Sequence, residues 1–239
     1  MKNEIRDIKT NSKTEIKILL KNFGRLYSDE LGINLKSAKK EEIFKWFLAS
    51  ILFGARISET IAKNTYKACV RHNVLSPQKI KKVGWGYLVK HIMGEGGYVR
   101  YDGVTSTRLL GIADKLLKEY EGDLNHLHQK ARDSEDLEVR LQEFKGIGPT
   151  TVNIFLRELR GIWKKANPAF SKFVLQAARN LGIRDIKQYW KKNKVRKYNL
   201  KNLEAALLRL GKDWCHKKKC SVCPLRIYCK KEEQEANQR

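Results

Sequence analysis

Four of the five cysteines, Cys215, Cys220, Cys223 and Cys229, crowd into one stretch, CHKKKCSVCPLRIYC, with the spacing C-x4-C-x2-C-x5-C. Thiolates delivered by a single short loop can surround one metal centre, and in a reducing compartment such a cluster reads as a metal site before it reads as disulfides. Structural zinc usually takes two separated C-x2-C pairs. Here one such pair carries a single cysteine on either side, which suits a cubane 4Fe-4S cluster with one thiolate per iron. Zinc is the alternative. Trp214, Pro224, Leu225 and Tyr228 are the side chains at hand to shield it, and Cys69 stands apart in YKACVRHN.

A second stretch able to do chemistry is FKGIGPTTVNIFL, residues 144–156. Glycine permits positive φ and the close approach of another backbone. Pro149 fits the first position of a helix, where its missing N–H costs nothing, and Val152, Phe155, Leu156 and Leu159 give that helix an apolar stripe. Free amides around Gly146, Gly148 and Thr150 at a helix start suit an anion such as a phosphate, with the charge of Lys145 beside them. An ordinary αα-hairpin with a glycine turn is the competing reading.

The elements that must hold these residues read as helices. The chain has four prolines in 239 residues and many apolar stripes of helical period, and no clear alternating strand pattern, so the expected fold class is all-α. Ile16, Leu19, Leu20 and Phe23 share one face, as do Leu109, Ile112, Leu116 and Leu117, and Leu137, Leu141 and Phe144. EEIFKWFLASILF (41–53) is nearly continuous in apolar residues and predicts a buried core helix. Ser58 is placed to cap the helix that follows, and Ser76-Pro77 opens another. GEGGYVRYDG reads as a glycine-rich loop.

Fifty Lys and Arg against 26 Asp and Glu give a net charge of +24. Such a charge repels itself in a compact fold, so a polyanionic partner is expected, nucleic acid first. From Lys187 to the end 16 basic residues face five acidic ones, a local excess of 16 − 5 = 11, including Lys217, Lys218 and Lys219 between the first two clustered cysteines. No stretch approaches the roughly 20 apolar residues of a membrane span. The N-terminal MKNEIRDIKTNSK lacks a signal-peptide core, so an intracellular, cytoplasmic and nucleoid-associated location is expected.

A helix, an apolar-Gly-apolar-Gly turn, a second helix and a C-terminal four-cysteine loop, in that order, resemble the endonuclease III-like DNA glycosylases. The family's cysteines are usually spaced C-x6-C-x2-C-x5-C; the last two intervals match and the first is two residues shorter. The resemblance covers nearly the whole chain. It implies a two-lobed helical fold: residues 24–161 as one domain ending in the helix-hairpin-helix (137–160), and residues 1–23 plus 162–239 as the domain carrying the cysteine loop, 215–229. It implies a monomer that binds double-stranded DNA through hairpin residues Lys145, Gly146, Ile147, Gly148, Pro149, Thr150 and Thr151 and through the lysines of the cysteine loop. By order along the chain, Arg56 and Ile57 stand where the family keeps the wedge that fills the gap left by a flipped base. Tyr98 and Tyr101 are candidates to stack on a base.

The family's catalytic groups do not carry over. Bifunctional members place a nucleophilic lysine two residues after the second hairpin glycine, where this chain has Thr150. The family aspartate, about one helix beyond, falls at Phe170 or Ser171, and no aspartate lies between Asp136 and Asp185. Glu138, Glu143 and Glu158 are the only carboxylates in that interval and read as exposed or hairpin-helix positions. The substitutes on offer are Lys172, an amine nucleophile if buried and otherwise a phosphate-contacting or solvent-facing lysine, and Asp102, a carboxylate in the glycine-rich loop or simply a turn aspartate before Gly103. Asn167 could contact a nucleotide. The leading expectation is a DNA glycosylase, with or without abasic-site lyase activity, acting on damaged duplex. The alternative is a non-catalytic relative that recognises DNA. An RNA-binding protein is the third reading.

Overall fold

The structure is a computed structural model that describes residues 12–230; residues 1–11, most of the N-terminal stretch read above, lie outside it. In chain order its longer helices are α1 (Ser12–Phe23), α2 (Lys40–Gly54), α3 (Glu59–Arg71), α4 (Pro77–Tyr87), α5 (Asp102–Tyr120), α6 (Leu124–Lys130), α7 (Ser134–Gln142), α8 (Pro149–Leu159), α9 (Lys172–Asn180), α10 (Ile186–Lys192) and α11 (Leu200–Arg209). Two π-helical turns, Leu88–Met93 and Leu210–Cys215, continue α4 and α11. Among the described residues there is no strand, only an isolated bridge between Arg160 and Trp163. The fold class is all-α, as expected.

Two compact units divide the chain: Ser28–Pro168, and Met1–Tyr27 with Ala169–Arg239. The borders fall after residues 27 and 168, where the sequence reading placed them after 23 and 161.

In the first unit α2 is apolar nearly all round and its Ile43, Phe44, Trp46, Phe47, Leu48 and Leu52 are buried, as a core helix requires. Phe47 meets Phe155 and Phe144 edge-on, with ring centroids 5.0 and 5.9 Å apart. Trp46 Nε1 donates to the Phe155 carbonyl at 3.0 Å, which satisfies the one polar atom of a buried indole. The helix after the hairpin is therefore fixed in position on α2. Ser58 Oγ accepts from the Ile61 amide and caps α3 as expected.

The glycine-rich stretch differs from its reading as a loop. Gly94–Gly96 is helical, and irregular backbone is confined to the residues just before α5. The reason is packing: a Cβ on Gly96 would stand 2.3–2.7 Å from atoms of Thr65, so this glycine lets two helices touch. Within α4, Gly84 leaves the helix at φ +73°, which kinks it.

In the second unit Ile16, Leu19 and Leu20 of α1 are buried, and α11 buries Leu203, Ala205, Ala206, Leu207 and Leu208. Asn199 and Asn202 cap α11 reciprocally. Gly211 follows; a Cβ there would stand 2.0 Å from the Phe173 carbonyl oxygen, so α9 and the π turn meet backbone to backbone. No described helix is long and apolar enough to cross a membrane.

Candidate nucleic-acid interface

The hairpin is built as its sequence suggests. Leu137, Leu141 and Phe144 bury one side of α7, and Val152, Phe155, Leu156 and Leu159 bury α8. Between them Gly146 takes φ +91°, a region in which L side chains are strained. The Ile147 amide donates to the Phe144 carbonyl at 2.9 Å and closes the turn. Gly148 caps α8 with φ −107° and ψ 178°, an extended conformation open to any residue, and nothing lies within 4 Å of where its Cβ would be. Only one of the two glycines is thus demanded by the backbone. Among the described residues the amides of Gly146, Gly148, Thr150 and Thr151 have no backbone partner, which leaves four donors at the start of a helix.

The seven hairpin candidates separate by exposure. Lys145, Gly146, Pro149 and Thr150 are exposed and Gly148 is half-buried. Ile147 is buried and its amide is already bonded, so it serves the core and offers an anion no donor. The Thr151 side chain is also buried, pressed against Gly54. One basic residue that the sequence did not single out reaches this turn: Arg108 of α5 lies across Gly146. Arg56 is exposed in the turn between α2 and α3.

In the other unit, Cys215 ends the π turn and Cys220, Cys223 and Cys229 follow in the turns beyond. All four thiols are free. Burial pushes the Cys215 thiol up; an Asn180 hydrogen bond opposes this, and the charges of Cys223, Cys229 and Cys220 add to it. Burial likewise raises Cys223, with Cys229 and Cys220 contributing. Among the described residues no three such groups stand at metal-holding spacing. Leu225 and Tyr228 are buried beneath the loop and Trp214 is half-buried, whereas Pro224 is exposed and shields nothing. Lys217, Lys218 and Lys219 are all exposed, and Lys217 pairs with Asp213 at 3.2 Å.

The proposed substitutes for the family's chemistry both stand at helix starts. Lys172 is the first residue of α9 and is exposed, its ammonium 5.2 Å from the centre of the Phe173 ring. The burial that an amine nucleophile needs is missing. Asp102 is the first residue of α5 rather than a loop residue, and its Oδ1 accepts from the Gly103 amide at 2.7 Å. The two lie in different units. Asn167 accepts from Arg160 Nη1 at 2.7 Å, and Arg160 also donates to the Pro168 carbonyl, so Asn167 helps hold a loop. Tyr98 is 3 % exposed with its hydroxyl on Thr105, which rules out stacking on a base; Tyr101 is exposed, at φ +67°, under Arg100.

Glu138 and Glu158 lie in the two hairpin helices, as read, and neither is exposed. Glu158 is 1 % exposed and accepts from the Ser28 amide at 3.0 Å. Glu138 is half-buried; burial pushes it up and Arg160 draws it back. Another, Glu15, was not anticipated. Burial pushes it up to about 7, against the Lys230 charge and a Tyr189 hydrogen bond. Its partners are far away in the sequence, so no local pattern could have marked it.

No family model matches the chain, and no curated protein sequence matches it. A solved structure does: a trapped endonuclease III–DNA covalent intermediate, described as an estranged-adenine complex, is similar with a TM-score of 0.51 at 18 % identity, over 94 % of this chain and 98 % of that one. At this identity the likeness establishes architecture, and the chain has the helical fold of endonuclease III.

Proposed function

We propose that the protein binds double-stranded DNA and works in base-excision repair as a DNA glycosylase on damaged duplex, as a monomer. The observation that carries the binding reading is the hairpin: free amides of Gly146, Gly148, Thr150 and Thr151 at the start of α8, on a chain of net charge +24. The amides would donate to phosphate oxygens, with Lys145 adding charge beside them. Arg56 and the exposed Lys217, Lys218 and Lys219 are the further contacts. Each phosphate so neutralised releases counterions, so affinity should fall steeply with salt. The DNA trapped covalently in the similar endonuclease III complex supports the same reading.

Cys215, Cys220, Cys223 and Cys229 would hold a 4Fe-4S cluster, with zinc the alternative. The fit rests on the chemistry of the donor set, four free thiols within residues 215–229. When bound, the cluster would staple a segment that has few buried apolar side chains of its own. Iron, sulfide and zinc analysis of the purified protein separates the two, and Cys223→Ser should lose the bound metal.

A second reading has its own observation. Thr150 and Phe170–Ser171 replace the two groups that do the family's chemistry, Lys172 is exposed, and Asp102 is bonded to its own helix start. This favours a non-catalytic DNA-binding relative. One experiment separates the readings: borohydride trapping, base release and strand cleavage on duplexes carrying an abasic site or oxidised or deaminated bases. A trapped adduct means an amine nucleophile, with Lys172→Ala the next variant. Base release without an adduct means a monofunctional glycosylase, with Asp102→Asn next. Tight, salt-sensitive binding with no product on any substrate means the non-catalytic reading.

A further inference from the structure

Helix α5 runs beside the hairpin and sends two basic side chains toward it, two turns apart. They are in opposite electrostatic states. The Lys115 ammonium lies 5.8 Å from the Phe144 ring centre and is paired with Glu119 at 2.8 Å and Glu143 at 3.4 Å. Asp114 of the same helix is taken by Lys81 and Lys118. Arg108 is exposed and has no acidic partner among the described residues. Its stem lies where a side chain on Gly146 would go: Cδ, Nε and Cγ stand 2.6, 2.9 and 3.2 Å from the ideal Cβ position. Gly146 therefore does two things. Its φ of +91° makes the turn, and its missing side chain leaves the groove in which Arg108 rests.

We propose that Arg108 is a DNA-backbone contact of this protein, a guanidinium seated on the hairpin turn so that it and the hairpin amides meet the same strand. The reading rests on the duplex-DNA binding proposed above. A guanidinium offers five donors in a flat fork that matches two phosphate oxygens, and it remains charged at any working pH. Seating the stem on Gly146 removes part of the side chain's freedom before binding, so less is lost when a phosphate arrives. The unpaired charge is what distinguishes Arg108 from Lys115: on the same helix, one cation is neutralised within the protein and the other is left for a ligand.

The test is the salt dependence of binding to a short duplex with a stable abasic-site analogue, for wild type, Arg108→Ala, Arg108→Lys and the control Lys36→Ala, an exposed lysine in the short turn before α2. Arg108→Ala should make the slope of log affinity against log salt shallower by about 0.9 and weaken binding roughly tenfold at low salt, with unchanged melting. Arg108→Lys should keep the slope, and Lys36→Ala should leave slope and affinity as in wild type. Wild-type binding with an Arg108→Ala slope equal to that of Lys36→Ala would overturn this role while leaving DNA binding intact. Failure of wild type to bind duplex would overturn both.

Discussion

Gly54 and Thr151 touch so closely that no side chain fits between them: a Cβ on Gly54 would stand 2.2 Å from Thr151 Oγ1 and 3.1 Å from its Cβ. The end of α2 is thereby pressed onto the first turn of α8, the turn that carries the hairpin's free amides. Gly54→Ala should cost about 1–3 kcal/mol of stability by overpacking, measured by urea unfolding. Adding Thr151→Gly should recover part of that loss, because it removes the clashing atoms; two independent, additive losses would refute the contact as the cause.

The two hairpin glycines should respond oppositely. Gly146→Ala meets positive φ and the Arg108 stem, and should lose roughly 1–2 kcal/mol in thermal melting. Gly148→Val faces open space in an extended conformation, so its melting should stay close to wild type. Its bulk would stand beside the free amides, and duplex affinity should fall. Retained affinity in Gly148→Val would count against the amides as the binding donors.

Glu15 predicts an unusual pH dependence. Burial raises its folded value from 4.5 to about 7, so the folded state holds this proton more tightly than the unfolded chain does. The resulting stabilisation is complete below about 4.5 and is lost as pH rises through about 7. Glu15→Gln should remove that fall and melt higher than wild type at pH 8. The measurement is the difference in melting temperature between the two proteins from pH 4.5 to 8, which cancels effects common to both. A difference that does not change with pH would show that Glu15 does not titrate in this range.

Lys165 acts as a cation at the end of α6. Its ammonium takes the carbonyls of His128 at 2.8 Å, Gln129 at 3.2 Å and Ala131. Lys165→Ala should cost about 1–3 kcal/mol, because those carbonyls lose their partner. It should also raise the His128 titration point, which is held low first by burial and then by the Lys165 charge. Following the His128 ring protons by NMR checks the second claim, and an unmoved titration would remove the Lys165 contribution.

Much of this fold is legible in the sequence because helix punctuation is local. Pro149 after a glycine, Ser58 and Ser76 at helix starts, and the stripe of Val152, Phe155, Leu156 and Leu159 each report on their own few residues. What escaped depends on partners far along the chain. Glu158 is a hairpin-helix carboxylate in sequence, and the bond it accepts from the Ser28 amide, 130 residues away, has no local sign. Gly96 looks like loop composition until Thr65 is found against it. Glu15 and Arg108 are ordinary charged residues in sequence, and only Tyr189, Lys230 and Gly146 in space make them unusual. The cysteine spacing could be read as a donor set, and a solvent-facing Lys172 is among the sequence readings because a lone lysine in a basic chain usually faces water.

The π-helical turn Leu210–Cys215 also has an angular meaning. The His216 amide donates to the Gly211 carbonyl, five residues back instead of four, so the helix carries one residue more than an α-turn would. One residue is about 100° of rotation about the axis. The heading of Cys215, and with it the side from which the first thiol approaches its three companions, is set by this surplus residue. Trimming it would preserve the four thiols and the spacing between them, yet leave the first of them facing elsewhere.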